Sequence, residues 1–312
     1  MKQLDFIIVG AQKCATTTLY KYLNEHSQIS MPEDKEAPFF NTSANEQDYD
    51  AFLERTFEQA LPGQKLGKAS PQYMAHSDTP KRIKRLAPDV KIIAILKNPL
   101  ERSFSHYKMA LRRGTESRDY QSTINEGLSD LSLANGRAGH APSHSQGYES
   151  EADFYLSWSE YGRALSHYYD QFPTNQIMVV FAEDLNKSPK QTLAAVLEFL
   201  AVDSTEMPDN LGQQFHKGSG RPMINPKRLR DLVNLPILKS LYNMIPEQSK
   251  TIYRYWFDQF NMRSSEVSKQ LDEDTKRRLQ CLFLKDYQIL RGLGLNPPWQ
   301  IALQDEHTES RS

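Results

Sequence analysis

Residues 5–18, Asp-Phe-Ile-Ile-Val-Gly-Ala-Gln-Lys-Cys-Ala-Thr-Thr-Thr, restrict the possible fold more than any other segment. The apolar run Phe6–Val9 stops at Gly10, and a lysine and three consecutive threonines precede an amphipathic stretch from Leu19. A short apolar run ended by glycine reads as a buried strand, and the periodic stretch after it as a helix. Between them the chain must turn tightly, so the first helix amides face the turn without intrahelical partners. Those amides and the helix dipole both favour an anion. The segment predicts a strand–loop–helix phosphate site.

The lysine is in an unusual place. A nucleoside-triphosphate loop follows G-x-x-x-x-G-K-[ST]. Counting from Gly10, the second glycine position holds Ala15, the lysine position Thr16 and the hydroxyl position Thr17, while the lysine is Lys13, inside the loop. The next strong strand candidate, Lys91–Leu96, runs into Lys97-Asn98-Pro99 and offers no acid for Mg²⁺. The pattern suits a phosphate that carries no chelated metal.

A chain of 312 residues has enough length for a large core. Its net charge of −1, with both signs mixed along the chain, argues against broad nucleic-acid binding but leaves room for a local basic pocket. The start Met1-Lys-Gln-Leu-Asp does not follow a secretory signal, and the apolar run behind it is too short to span a membrane. The expectation is a cytoplasmic protein with no membrane span and an open oligomeric state. Two cysteines, Cys14 and Cys281, are too few for a disulfide framework or a metal site. Cys14 reads as a small residue filling the loop rather than as a thiol activated by the helix terminus.

Strand candidates are Phe6–Val9, Lys65–Lys68, Lys91–Leu96 and Gln176–Phe181. Helix candidates are Thr17–His26, Asp48–Ala60, Thr79–Ala87, Pro99–Arg113, Phe154–Gln171 and Pro189–Leu200. Buried strands separated by helices of this length predict an α/β fold, a central parallel sheet flanked by helices. Residues 114–152 are polar, with a weak helical patch at Tyr120–Leu131, and read as a lid or insertion. His140 and His144 lie there at i, i+4, but Pro142 between them favours solvated histidines over metal ligands. After residue 201 short helices punctuated by proline, and a longer one over Asp272–Leu293, predict a helical C-terminal cap on one domain spanning 1–300. Residues 301–312 read as a disordered tail.

Four segments in order resemble the PAPS-dependent sulfotransferases, in the branch with heparan sulfate N- and 3-O-sulfotransferases and bacterial sulfotransferases. Lys13-Cys-Ala-Thr-Thr-Thr-Leu19 is similar to the family's K-x-G-T-T-x-L loop. The resemblance implies a P-loop-like fold, with Lys13 on the 5′-phosphate and the oxygen bridging to sulfur. It also implies that the backbone of Cys14, Ala15, Thr16, Thr17 and Thr18 holds the 5′-phosphate. Ala15 departs from the usual glycine. Lys35-Glu-Ala-Pro-Phe-Phe-Asn41 is similar to K-E-x-x-F-F, which implies Glu36 as general base with Phe39 beside the acceptor.

Leu96-Lys-Asn-Pro-Leu-Glu-Arg-Ser-Phe-Ser-His-Tyr107 is similar to R-[ND]-P-x-E-R-x-x-S-x-Y, which implies Ser105 and Lys97 on the 3′-phosphate. Lys97 replaces an arginine and loses its bidentate fork. Arg102 is left with two readings, a phosphate contact or a structural pairing. Phe215-His-Lys-Gly-Ser-Gly-Arg-Pro222 resembles a late loop closing over the 3′-phosphate through Lys217, Gly218, Ser219 and Arg221; by composition it is also a basic glycine-rich linker. Leu66-Gly-Lys-Ala-Ser-Pro-Gln-Tyr73 is similar to G-E-x-[ST]-P-x-Y, with Lys68 in place of the acid and so a candidate substrate contact. The resemblance implies metal-free transfer of a sulfuryl group from PAPS to a glycan or small-molecule acceptor. A nucleotide kinase or NTPase, or a nucleotide-binding protein without turnover, are the alternatives.

Overall fold

The computed structural model describes residues 2–138, 153–213, 221–222, 262–263 and 267–301. Five strands form one parallel sheet in the order β2-β3-β1-β4-β5: β1 Phe6–Gly10, β2 Ile29–Ser30, β3 Lys65–Ala69, β4 Lys91–Leu96 and β5 Ile177–Phe181. Every residue of β1 is buried, and all of β4 beyond Lys91. Both faces of these strands are covered, which is why their sequences are unbroken apolar runs rather than alternating ones. The register sets Ile8 beside Ala69 and Ile93, so β1, β3 and β4 point their C-terminal ends to the same edge of the sheet.

Helix α1 (Thr16–Asn24) follows β1 and inserts Leu19 and Leu23 into the main core. Helices α2 (Tyr49–Thr56) and α3 (Thr79–Leu86) precede β3 and β4 respectively, and α4 (Pro99–Arg113) leaves β4 with Pro99 in its first turn. Helix α4 sends Phe104, Tyr107, Ala110 and Leu111 into a second buried cluster. That cluster takes Tyr120 and Ile124 from α5 (Tyr120–Gly127), Leu133 from α6 (Asp130–Ala138), and Tyr155 and Leu156 from α7 (Phe154–Ser157). The polar segment expected over 114–152 therefore contains two packed helices, and residues 139–152, with His140 and His144, lie outside the described residues.

The helix expected over Phe154–Gln171 is two: α7, and α8 (Tyr161–Tyr169) after a turn at Trp158–Glu160. The one expected from Asp48 starts as a 3-10 turn, Glu46–Asp48, and ends at Thr56. After β5 come α9 (Ala182–Lys187) and α10 (Pro189–Leu200). The strand pair β6 (Arg221–Pro222) and β7 (Met262–Arg263) is antiparallel. The long helix α11 (Glu273–Gly292) packs on α8 at Gly162, where a Cβ would meet the Asp286 carbonyl at 2.4 Å. Of the cap expected over 201–300, residues 214–220, 223–261 and 264–266 lie outside the described residues.

Candidate active site

The loop between β1 and α1 lies at the C-terminal edge of the sheet, where ligands of open α/β sheets bind. The Ala11 amide donates to the Ile95 carbonyl at 2.7 Å, pinning the loop to β4. Lys13 and Ala15 both have positive φ, 73° and 66°, a conformation that costs a residue with a Cβ about 1–2 kcal/mol. Ala15 is the residue before α1 and has no side-chain oxygen to cap it. The Thr18 amide donates to the Ala15 carbonyl at 3.0 Å, which leaves the Thr16 and Thr17 amides as donors for a ligand.

Lys13 has no hydrogen-bond or ion-pair partner among the described residues. Burial, then Arg112, Arg113 and Arg102, push its ammonium down to about 8. An ammonium crowded by cations and lacking a counter-ion is stabilised by an incoming anion. Cys14 beside it is fully buried, and burial pushes its thiol up to about 11, the opposite of an activated cysteine. Its sulfur lies 3.4 Å from the Tyr161 hydroxyl of α8. Thr16 and Thr18 are buried and Thr17 half-buried.

The turn from β4 into α4 forms a second cationic edge. The Asn98 side chain accepts from the Leu100 and Glu101 amides, and its own amide donates to Glu183 at 2.9 Å. Lys97 is half-buried and close enough to act on the Cys14 thiol electrostatically. Ser105 is half-buried on α4. Arg102 is 0% exposed, and its guanidinium donates to the carbonyls of Gln12, Phe154 and Tyr155 and to Ser159, and meets His106 Nδ1 at 2.8 Å. Those bonds commit it to holding the loop and α7, which decides for the structural reading of Arg102. The sequence reading missed Arg112 and Arg113. They end α4 ahead of Gly114, far from any motif, and only the fold turns their charge toward Lys13.

Glu36 lies on the segment between β2 and α2, with its side chain 41% exposed and Lys35 Nζ 3.4 Å from its Oε1. Its carbonyl accepts from Ser70 Oγ, and the Lys35 carbonyl accepts from the Ala69 amide, so the segment is bolted to the C-terminal end of β3. The two expected substrate contacts are interior residues. Lys68 is 0% exposed with its ammonium on the Ala37 carbonyl and Tyr73 hydroxyl, and Phe39 is 3% exposed and stacked on Phe52 at 4.6 Å. Neither is open to a substrate, because each is spent on packing beneath the Glu36 segment.

Of the late loop, Lys217, Gly218 and Ser219 lie outside the described residues, and Arg221 belongs to β6. Two clefts flank the Glu36 segment. One of about 430 Å³ is lined by Asp34, Ala37, Pro38, Phe52 and Arg55 among others; another of about 490 Å³ by Phe40, His76, Lys81, Arg82 and Arg85. Among the described residues no three His, Cys, Asp or Glu side chains converge as a metal site, and no helix is long and apolar enough to cross a membrane.

Comparison with known proteins agrees with this arrangement. Over 112 residues the chain is 37% identical to the membrane-associated sulfotransferase kil1 of Dictyostelium discoideum, covering 35% of this chain and 23% of that protein. Over 210 residues it is 27% identical to human heparan sulfate glucosamine 3-O-sulfotransferase 3B1, covering 64% of this chain and 47% of the relative. The chain thus spans less than half the length of either relative. Its fold matches the crystal structure of a sulfotransferase from Alicyclobacillus acidocaldarius with a TM-score of 0.61 at 20% identity, covering 94% of this chain and 96% of that one. Residues 3–281 match the sulfotransferase domain family, and the chain belongs to that family.

Proposed function

We propose that this chain moves a sulfuryl group from PAPS to a hydroxyl or amine of an acceptor. The observation that carries the reading is the pairing of Lys13, which has no partner among the described residues, at an uncapped helix N-terminus with a half-exposed carboxylate, Glu36, at the same sheet edge. The segment from Cys14 to Thr18 holds the 5′-phosphate, with the Thr16 and Thr17 amides as donors. Lys97 and Ser105, with Lys217, Gly218, Ser219 and Arg221, take the 3′-phosphate. Glu36 accepts the proton of the acceptor as its oxygen or nitrogen bonds to sulfur. The sulfur–oxygen bond to the phosphate breaks, its electron pair stays on the phosphate oxygen, and the Lys13 ammonium stabilises the charge gathering there. Adenosine 3′,5′-bisphosphate leaves, and no metal enters the reaction.

The relatives' names favour a glycan hydroxyl as acceptor, with a small natural product as the other candidate. A kinase reading lacks both the G-K-[ST] sequence and an acid to hold Mg²⁺ after β4. Thermal unfolding without Mg²⁺ tests the nucleotide assignment. Adenosine 3′,5′-bisphosphate at 100 times its Kd should stabilise the protein by about 2.7 kcal/mol, and AMP at the same concentration far less. Equal shifts, or a strict need for Mg²⁺, would overturn it. A screen of acceptors with radiolabelled PAPS then identifies the substrate.

A further inference from the structure

We propose that Lys68 is a positioning residue for Glu36, a buried latch that fixes the backbone from which the carboxylate projects. The inference rests on Glu36 being the base.

The Glu36 carboxylate has little of its own to orient it. Among the described residues its one side-chain partner is Lys35, at 3.4 Å and itself on the same segment. Its position must come from the backbone, and the backbone here is held by side chains of another element. Lys68 Nζ donates to the Ala37 carbonyl and contacts the Tyr73 hydroxyl at 2.7 Å. That hydroxyl accepts the amides of Phe39 at 3.0 Å and Phe40 at 3.3 Å, while Ser70 holds the Glu36 carbonyl. Tyr73 is itself fixed, since its carbonyl accepts from Tyr168. Lys68 and Tyr73 thus hold polar backbone groups on the C-terminal side of Glu36.

The chemistry at position 68 is costly if it serves packing alone. The side chain is wholly buried among the rings of Tyr73, Phe52 and Phe40, at 4.9, 5.1 and 5.9 Å, with no carboxylate in ion-pair reach among the described residues. An apolar residue of that length would fill the space without desolvating an amine. What the amine adds is donors, and the carbonyl it binds belongs to Ala37, whose φ of 28° an alanine does not hold unaided. The latch therefore keeps the residue after Glu36 in a conformation the chain would otherwise leave.

The test combines hydrogen exchange with kinetics in two backgrounds. In Lys68→Met, amide exchange across Glu36–Phe40 should accelerate at least about tenfold, a readout that needs no turnover. The affinity for adenosine 3′,5′-bisphosphate should stay within about twofold, because the nucleotide groups lie on other elements, while kcat falls at least about tenfold as the base loses its geometry. In a Glu36→Gln background the same substitution should cost less than about threefold, since a residue acting through Glu36 has little left to lose. Tyr73→Phe keeps the ring and should reproduce the pattern if Lys68→Met folds poorly. Unchanged exchange over Glu36–Phe40 in both variants, or equal losses of kcat in both backgrounds, would overturn the latch. Normal turnover of Glu36→Gln alone would instead overturn the base, with exchange still deciding whether Lys68 holds the segment.

Discussion

The Tyr161 hydroxyl lies 3.4 Å from the Cys14 sulfur, so one buried side chain from α8 ties that helix to the β1 loop. Burial keeps both the thiol and the phenol protonated at neutral pH, Cys14 up to about 11 and Tyr161 well above its ordinary value. Native protein treated with iodoacetamide at pH 7.5 should therefore gain one adduct, on the exposed Cys281, and a second only after unfolding. Mass spectrometry of the intact protein and its peptides reads this directly. In Tyr161→Phe, stability should drop by about 0.5–1.5 kcal/mol, the usual net value of a hydrogen bond, and Cys14 should label faster.

Ala15 sits at φ 66° and ψ 20° where the family loop has glycine. Ala15→Gly should raise stability by about 0.5–1 kcal/mol, the relief of the Cβ clash less the extra freedom of an unfolded glycine. Denaturant unfolding measures it. A loss of stability would mean that the Ala15 methyl packs against the core by more than the strain it carries.

The β1–α1 loop was legible in the sequence because everything that defines it is local: an apolar run, a glycine, a lysine and three hydroxyls. The parallel sheet was legible for the same reason, β1 and β4 being continuous buried runs. The two-residue β2 has no such signature, since Ile29–Ser30 becomes a strand only by pairing with Lys65 and Leu66. The break between α7 and α8 was hidden because its cause lies on α4. Arg102 takes the carbonyls of Phe154 and Tyr155 and the Ser159 hydroxyl, groups that a helix running on from α7 would compete for. Lys68 looked like a substrate contact because sequence shows its charge but not the rings that enclose it.

On the proposed reading, Lys13 should give nucleotide binding a pH dependence. With its ammonium pushed down to about 8 by burial and by Arg112, Arg113 and Arg102, the charged form that an anion needs is present below about pH 8 and fades above it. Affinity for adenosine 3′,5′-bisphosphate should then fall by up to about tenfold per pH unit between about pH 8 and 10. Lys13→Arg should flatten that slope, because a guanidinium stays charged throughout. Calorimetric titrations across this range are the check, and a pH-independent Kd in the native protein would remove Lys13 from the phosphate site.

Asp286 couples α11 to α8. Its carboxylate accepts the amides of Gly162 at 2.8 Å and Arg163 at 2.9 Å, yet burial, aided by Glu160, holds it up at about 6. An unfolded aspartate titrates near about 3.9, so the folded state binds the extra proton between about pH 4 and 6, and stability falls as pH rises through that window. The native protein should lose about 2–3 kcal/mol relative to Asp286→Asn as pH rises from about 4 to 7. Paired denaturation curves at the two pH values isolate this group from the other carboxylates.

Glu36→Gln tests most directly whether Glu36 is the base of a sulfuryl transfer. The amide is nearly isosteric, cannot take a proton, and leaves the β1–α1 loop and the β4–α4 turn untouched. Measured with radiolabelled PAPS and an acceptor found by screening, kcat should fall at least about 10²-fold, while the Kd for adenosine 3′,5′-bisphosphate stays within about threefold. Near-normal turnover with that Kd unchanged would contradict it.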